Sequence, residues 1–537
     1  MKHAIKNFFL TIKKEWVLAA ILIFYLIAVF FNFQQQGLVN WDESFLAIVA
    51  RTYADIFRTM FTHPAALFSS AYFRELRANY GDTYAVAKPS FVLIASLLSL
   101  VWPSQIAVRL LSVFSGVGVL IIFYHLLAFY QIDKKIKLAA VFLLASSPLF
   151  LIFSRLGLTP IFSSLFLLLS IYYLLKFKTT GRAKDIIFSG IFTAILLMSH
   201  YSLFSLVGII LAFGLFYLYQ KHSGAKIYLA YAASFLILPA IWEIITRAGA
   251  WFAARQGIVA GGRFGVWPYS QEFFYQLKIG STGSLATSFS VSDPLYYFSL
   301  LWSQEGAIFF LLILLGLAIF FKRFKRAEYG LPLLSAGIFF LISWAAWQQY
   351  PRIIMPIFPV FYLLTAVALS FIYRQSSRTS PPLKISLLAL ICLSIFVSHL
   401  IIYPDIFNIK TPFSDFASFI KENYPPEKTL ILTAEAPLWR VYLPGYKVEK
   451  IGDEAAIKDL PADEKILATD DYFNWPILNI DFAGYSSRRI VAKAPTNIFS
   501  VPPVIADLSY IKPGEMPQKI AEFSGREMKI YELELKK

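Results

Sequence analysis

The chain has 537 residues, 58% of them hydrophobic and only 15% charged, with a formal net charge of +16. Ordinary soluble domains are about a quarter charged, so this composition excludes a soluble globular protein, which could not hide so much apolar surface from water. The positive balance does not point to nucleic acid either: residues 404–537 hold 17 Lys and Arg against 20 Asp and Glu, so the excess lies in the apolar part before them, where loop charge sets membrane orientation.

In chain order, Lys2, Lys6, Lys13 and Lys14 precede an apolar run from Trp16 to Phe33. The run is long enough to cross a bilayer and no small-x-small cleavage site precedes Gln34, so it reads as a retained first span. Further spans are expected at 106–130, 138–153, 160–177, 186–200, 203–219, 227–247, 297–321, 330–347, 353–373 and 383–403, eleven in all. The apolar piece Pro89–Trp102 has 14 residues, short for a crossing and suited to a re-entrant or surface helix.

With eleven spans, the loops 131–137, 178–185, 220–226, 322–329 and 374–382 share one side, and each carries a Lys or Arg cluster. The positive-inside rule then puts the N-terminus in the cytoplasm and the C-terminal domain outside, in an integral protein of the plasma membrane. The expected fold is an α-helical polytopic membrane protein with about eleven transmembrane helices over residues 1–403 and a small extracytoplasmic α/β domain over 404–537. In that domain β-rich pieces at 429–433, 465–469 and 528–535 alternate with helical ones such as 413–422.

Two outer segments are long, 34–88 and 248–296. The first has mixed polar and apolar spacing over 43–60 and 65–78, the pattern of helices lying along a membrane surface. The second carries Gly257, Gly261, Gly262, Gly265, Gly280 and Gly283, a loop that could order over a ligand. Arg263 and Trp267 in this loop, with His200 and Tyr201, are candidates for contact with substrate.

Charge type differs by side. Among the outer basic residues 10 of 12 are Arg, whereas 15 of the 20 inner ones are Lys. Inner Lys fits a topology signal; outer Arg offers the planar fork that grips phosphate in two places. Arg109, Arg155 and Arg352 sit where spans end on the outer face, and with Lys88 they are expected to converge on a phosphate at the membrane surface. Asp42 and Glu43 open the first outer segment just after Asn40. In a helix capped by Asn40 they would also suit the helix dipole, a role that requires no chemistry. The single cysteine, Cys392, allows no intrachain disulfide, and His63 and His125 lack partners at metal-ligand spacing.

The series Asn40-Trp41-Asp42-Glu43, Lys88-Pro89-Ser90 and Ala107-Val108-Arg109-Leu110 resembles the GT-C superfamily of membrane glycosyltransferases, and within it the protein O-mannosyltransferases and lipid A aminoarabinose transferases. Arg352-Ile353-Ile354-Met355-Pro356 with Pro359, and Ser199-His200-Tyr201, resemble later elements of the same group. The chain departs from some relatives at Ala87, where they carry Glu.

The resemblance implies a polyprenyl- or dolichyl-phosphate-linked sugar donor, inversion at the anomeric carbon, and Asp42 as base or acceptor-positioning group with Glu43 beside it. Lys88, Arg109, Arg155 and Arg352 would bind the donor phosphate. The expected partners are the lipid-linked donor, membrane lipids and an acceptor that is a protein, lipid or glycan; no nucleic acid, cofactor or metal site is expected, though a divalent metal is left open. The competing class is a transporter or flippase for a lipid-linked solute. It fits less well, because the ionisable residues crowd the outer surface and no repeat is visible.

Overall fold

The structure is a computed structural model and describes residues 15–39, 41–69, 71–72, 75, 88–255, 268–271, 273–274, 295–323, 327–345, 351–375, 381–433, 436–450, 465–469, 485–495 and 527–535. Most of the described chain is helical, and each expected span coincides with a helix or a pair of helices. The first is α1 (Trp16–Phe30), followed by the single turn α2 (Phe33–Gln36) and the surface-type helix α3 (Trp41–Thr62). Next come α4 (Pro89–Leu98), α5 (Ser104–Phe129), α6 (Lys134–Ala145), α7 (Pro148–Arg155), α8 (Thr159–Thr180) and α9 (Ala183–Ser199). The bundle continues with α10 (Phe204–Gln220), α11 (Ala225–Arg255), α12 (Tyr296–Glu305), α13 (Ala307–Arg323), α14 (Ala327–Ala345), the short α15 (Pro351–Ile354), α16 (Phe358–Gln375) and α17 (Pro381–Phe407).

By length and composition six of these helices can cross a membrane, or seven if the bent pair α6–α7 is one span. Four shorter apolar helices accompany them, among them Trp16–Phe30 and Pro89–Leu98. Two expected spans are not continuous. The span read at 138–153 bends by 55° between α6 and α7. Ser147 caps a new helix there, its hydroxyl accepting from Phe150 N–H, and Pro148 fills the first position, where a missing N–H costs nothing. The span read at 297–321 is interrupted at Gly306, whose φ of +91° no helix accommodates. Of the surface helix expected at 65–78, the described residues show the 3-10 stretch Pro64–Phe68 and helical positions at Ala71, Tyr72 and Glu75; the other positions lie outside the described residues.

Burial sorts the bundle. The helical run Pro351–Gln375 is almost wholly enclosed, whereas α11 and α17 turn most of their apolar surface outward. Such outward Leu, Ile and Phe suit lipid, which solvates them as well as a protein core does.

The C-terminal domain holds α18 (Phe413–Asn423), α19 (Ala436–Tyr442) and strands β1 (Thr429–Thr433), β2 (Lys447–Lys450), β3 (Lys465–Thr469), β4 (Tyr485–Pro495) and β5 (Glu527–Leu535). The sheet order is β2-β1-β3-β5-β4, with β1 parallel to β2 and β3 and the remaining pairs antiparallel. The domain is tied to the bundle near the start of α3. Leu38 N–H donates to Tyr442 Oη at 3.1 Å, and Asn32 Nδ2 donates to Phe407 O at 3.3 Å.

Candidate active site

The first turn of α3 presents two neighbouring carboxylates in different directions. Glu43 points inward and is fully buried. Its carboxylate accepts Val39 N–H at 2.8 Å and Gly157 N–H at 2.6 Å, binding the start of α3 to the α7–α8 connection. Position 157 must be glycine for this approach: a Cβ there would lie 2.5 Å from Val108 and 3.2 Å from Glu43. Burial raises the Glu43 pKa, opposed by Arg109 and by the two N–H donors.

Asp42 points the other way and pairs with Arg352, on α15 and 310 positions away in sequence. Lys88, the residue capping α4, and His200, capping the end of α9, lie within electrostatic reach of the same carboxylate. Burial alone would raise the Asp42 pKa. Arg352 and then Lys88 more than reverse that, and hold the carboxyl well below the ordinary carboxylate range. His200 is steadied by Ser202, whose Oγ lies 2.8 Å from Nδ1, and stacks on Tyr201 with ring centres 4.5 Å apart. Four helix ends distant in sequence thus bring one carboxylate, two cations and an imidazole together. Asp42 and Arg352 each keep about a quarter or less of the side chain exposed, so the cluster remains reachable.

The expected convergence of four cations on one phosphate is not what the structure has. Arg109 and Arg155 are buried; Arg155 turns to the end of α1, and Arg109 to the start of α2 and the end of α7. Arg155 donates to Phe31 O at 2.6 Å, Val29 O at 3.1 Å, Ala28 O at 3.3 Å and Gln36 Oε1 at 2.8 Å. Arg109 donates to Phe33 O at 2.6 Å and Arg155 O at 3.0 Å, with its guanidinium 3.8 Å over the Phe33 ring. The last carbonyls of a helix lack intrahelical partners and carry its negative dipole end, which suits a guanidinium. Arg263 and Trp267 lie outside the described residues.

A polar group that no motif in the sequence singles out is Glu305, which is fully enclosed in the bundle. It accepts from Ser147 Oγ at 2.7 Å and Tyr362 Oη at 2.6 Å, and lies 3.1 Å from His399 Nε2. Its partners come from three other helices, and only a three-dimensional fold reveals them.

Residues 19–250 match the family described as dolichyl-phosphate-mannose-protein mannosyltransferase. The fold is similar to that of ArnT from Cupriavidus metallidurans bound to undecaprenyl phosphate, with a TM-score of 0.59 at 12% identity over 89% of this chain and 96% of that one. The apo state of the same enzyme superposes with a TM-score of 0.56 at 12% identity over 85% and 93%. The Archaeoglobus fulgidus oligosaccharyltransferase AglB, in complex with an inhibitory peptide and a dolichol-phosphate, gives 0.51 at 16% identity over 85% and 70%. No curated protein matches in sequence. The family match over residues 19–250 and the similar folds both agree with the resemblance to GT-C membrane glycosyltransferases.

Proposed function

We propose that the chain transfers a sugar from a polyprenyl- or dolichyl-phosphate carrier to an acceptor hydroxyl, with inversion at the anomeric carbon. The observation that supports this reading best is the pairing of Asp42 with Arg352 beside Lys88: a carboxylate and two cations at one partly open spot. In the proposed step the acceptor oxygen attacks the anomeric carbon while the bond from that carbon to the phosphate oxygen breaks. The electron pair leaves on the lipid phosphate, where Lys88 and Arg352 stabilise it. The acceptor proton passes to Asp42. A single displacement inverts the centre and requires one carboxylate, unlike glycoside hydrolysis with its pair.

The low pKa of Asp42 belongs to the cluster without substrate. A donor phosphate takes up the field of Lys88 and Arg352, and Asp42 becomes the better base as the donor settles. On this reading Glu43 fixes the helix that carries Asp42, and His200 and Tyr201 line the approach. The acceptor is a protein, lipid or glycan hydroxyl, and the C-terminal domain helps to bind it or to cover the site. The basic loops favour a cytoplasmic side for themselves, which supports a non-cytoplasmic position for that domain and Asp42 in the proposed plasma-membrane enzyme.

The test is transfer from a radiolabelled polyprenyl-phosphate sugar in membranes lacking the native protein. Asp42→Asn should abolish transfer while the protein is made and inserted normally. Full activity in that variant would overturn the proposal.

A further inference from the structure

Beyond Asp42, helix α3 continues along the protein and borders a cavity. This open space of about 520 Å³ lies between the distal half of α3, the α4–α5 turn and helices α18 and α19 of the C-terminal domain. Asp42, Lys88, His200 and Arg352 are not among its lining residues. At 1.5 Å of rise per residue, Arg51 and Arg58 lie roughly 14 and 24 Å along the helix from Asp42.

The lining is cationic. Arg51, Arg58 and Lys421 line the cavity, and no acidic side chain does so among the described residues. Arg51 and Arg58 stand seven residues apart, on one face of α3. Arg58 is held by Asp55 at 2.6 Å and by Ser99 O at 3.1 Å, which fixes its guanidinium at the cavity wall.

The mouth is apolar. Val101 in the α4–α5 turn lines the cavity and is 74% exposed; Phe61, one turn past Arg58 on α3 and outside the lining, is 78% exposed. Trp102 lines the cavity and is also exposed. Large exposed apolar groups next to a short apolar helix mark the level of the bilayer surface, where Trp is favoured. A cationic hollow behind an apolar mouth at that level matches a molecule with an anionic head and hydrocarbon tails.

We propose that this cavity holds the phosphate of an anionic phospholipid from the leaflet beside the C-terminal domain. Arg51, Arg58 and Lys421 bind the phosphate, and the acyl chains leave past Val101, Trp102 and Phe61. Because Lys421 belongs to α18 and the two Arg to α3, the lipid bridges the C-terminal domain and the membrane bundle. This inference stands apart from the donor site and does not depend on the transfer reaction.

The test is native mass spectrometry of the full-length protein from nanodiscs of phosphatidylglycerol or of phosphatidylcholine, with a third sample given inorganic phosphate alone. One phosphatidylglycerol should remain bound, and phosphatidylcholine should be retained far less. The double variant Arg51→Gln/Lys421→Gln should lower retention roughly thirtyfold, from two lost surface cations. Asp42→Asn should leave it unchanged. Lys421→Gln alone, at an exposed position of α18, should still lower it roughly fivefold if the double variant misfolds. Equal retention in wild type and Lys421→Gln would overturn the proposal, as would equal retention of the two lipids. Binding of inorganic phosphate without any phosphatidylglycerol would overturn the lipid as its source.

Discussion

Asp42 and Glu43 are consecutive in sequence, yet one carboxylate pairs with Arg352 in a partly open cluster and the other accepts two backbone N–H groups in the interior. Successive residues on a helix point about 100° apart. Glu43 therefore fixes the rotation of α3, and that rotation sets the direction of Asp42.

The two carboxylates should separate in mutagenesis. Asp42→Asn should lower turnover by roughly two to four orders of magnitude, the range of a lost general base, with little change in melting temperature. Glu43→Gln retains one acceptor and leaves a buried N–H poorly satisfied, so it should destabilise by about 1–3 kcal/mol. Its turnover per folded molecule should fall much less than that of Asp42→Asn. The comparison requires thermal melting and single-turnover transfer on the same preparations, and equal catalytic loss in the two variants would contradict the separation.

The depressed pKa of Asp42 fixes the sign of a pH effect. A carboxyl whose folded pKa lies below its unfolded value of 3.8 contributes stability that is present above that value and lost as pH falls through the folded one. Asp42 therefore stays ionised through the whole mildly acidic range, and kcat/KM should show no acid limb from Asp42 above that value. Lys88→Gln removes one of the cations holding the pKa down and should move the acid limb to higher pH, besides weakening donor binding. In the donor complex the phosphate screens both cations, so the limb in kcat should lie above the limb in kcat/KM. Coincident limbs in wild type and Lys88→Gln would show that Lys88 does not act on Asp42.

Arg155 and Lys88, both expected at the donor phosphate, should now behave differently. Arg155→Met strips the end of α1 of the guanidinium that serves four neutral acceptors, and should destabilise by about 1–3 kcal/mol, the cost of leaving buried acceptors without a donor. The donor KM of the folded fraction should be unchanged. Lys88→Met should raise the donor KM with little loss of stability. A raised donor KM in Arg155→Met at normal melting temperature would return Arg155 to the phosphate site.

The architecture was legible in the sequence because spans announce themselves by length and apolarity, and each expected run from 16–33 to 383–403 meets a helix. The breaks were passed over although Ser146-Ser147-Pro148 and Ser303-Gln304-Glu305-Gly306 interrupt the apolar runs, because the apolar stretches on either side together reach span length. At the site, Asp42, Lys88 and Arg352 were legible as polar residues at span ends, and the fold does bring them together. The same signal also selected Arg109 and Arg155, because a guanidinium capping a distant helix looks identical in one dimension to one awaiting a ligand. What separated them were backbone carbonyls from other segments of chain: those at the end of α1 for Arg155, and Phe33 O and Arg155 O for Arg109.

Glu305 supplies the last expectation. Its carboxylate reaches Ser147 Oγ and Tyr362 Oη, and His399 Nε2 lies 3.1 Å away, while His399 Nδ1 is 3.2 Å from Ser146 Oγ. Four helices meet at this group, and it seats on the break between α6 and α7. An enclosed carboxylate in a membrane bundle is stable only with its donors in place. Glu305→Ala should therefore lower the midpoint of thermal aggregation in detergent sharply, and Tyr362→Phe less so. Combined, they should cost less than the sum of the single changes, with a coupling of about 0.5–3 kcal/mol, because each removes the same hydrogen bond. Since α7 continues from this break to Arg155 and then to Gly157, which holds Glu43, loss of Glu305 should also loosen the start of α3. Donor turnover per folded molecule should then fall in Glu305→Ala although Glu305 is not part of the Asp42 cluster. Additive costs in the cycle, with unaltered turnover, would show that the seat and the site are independent.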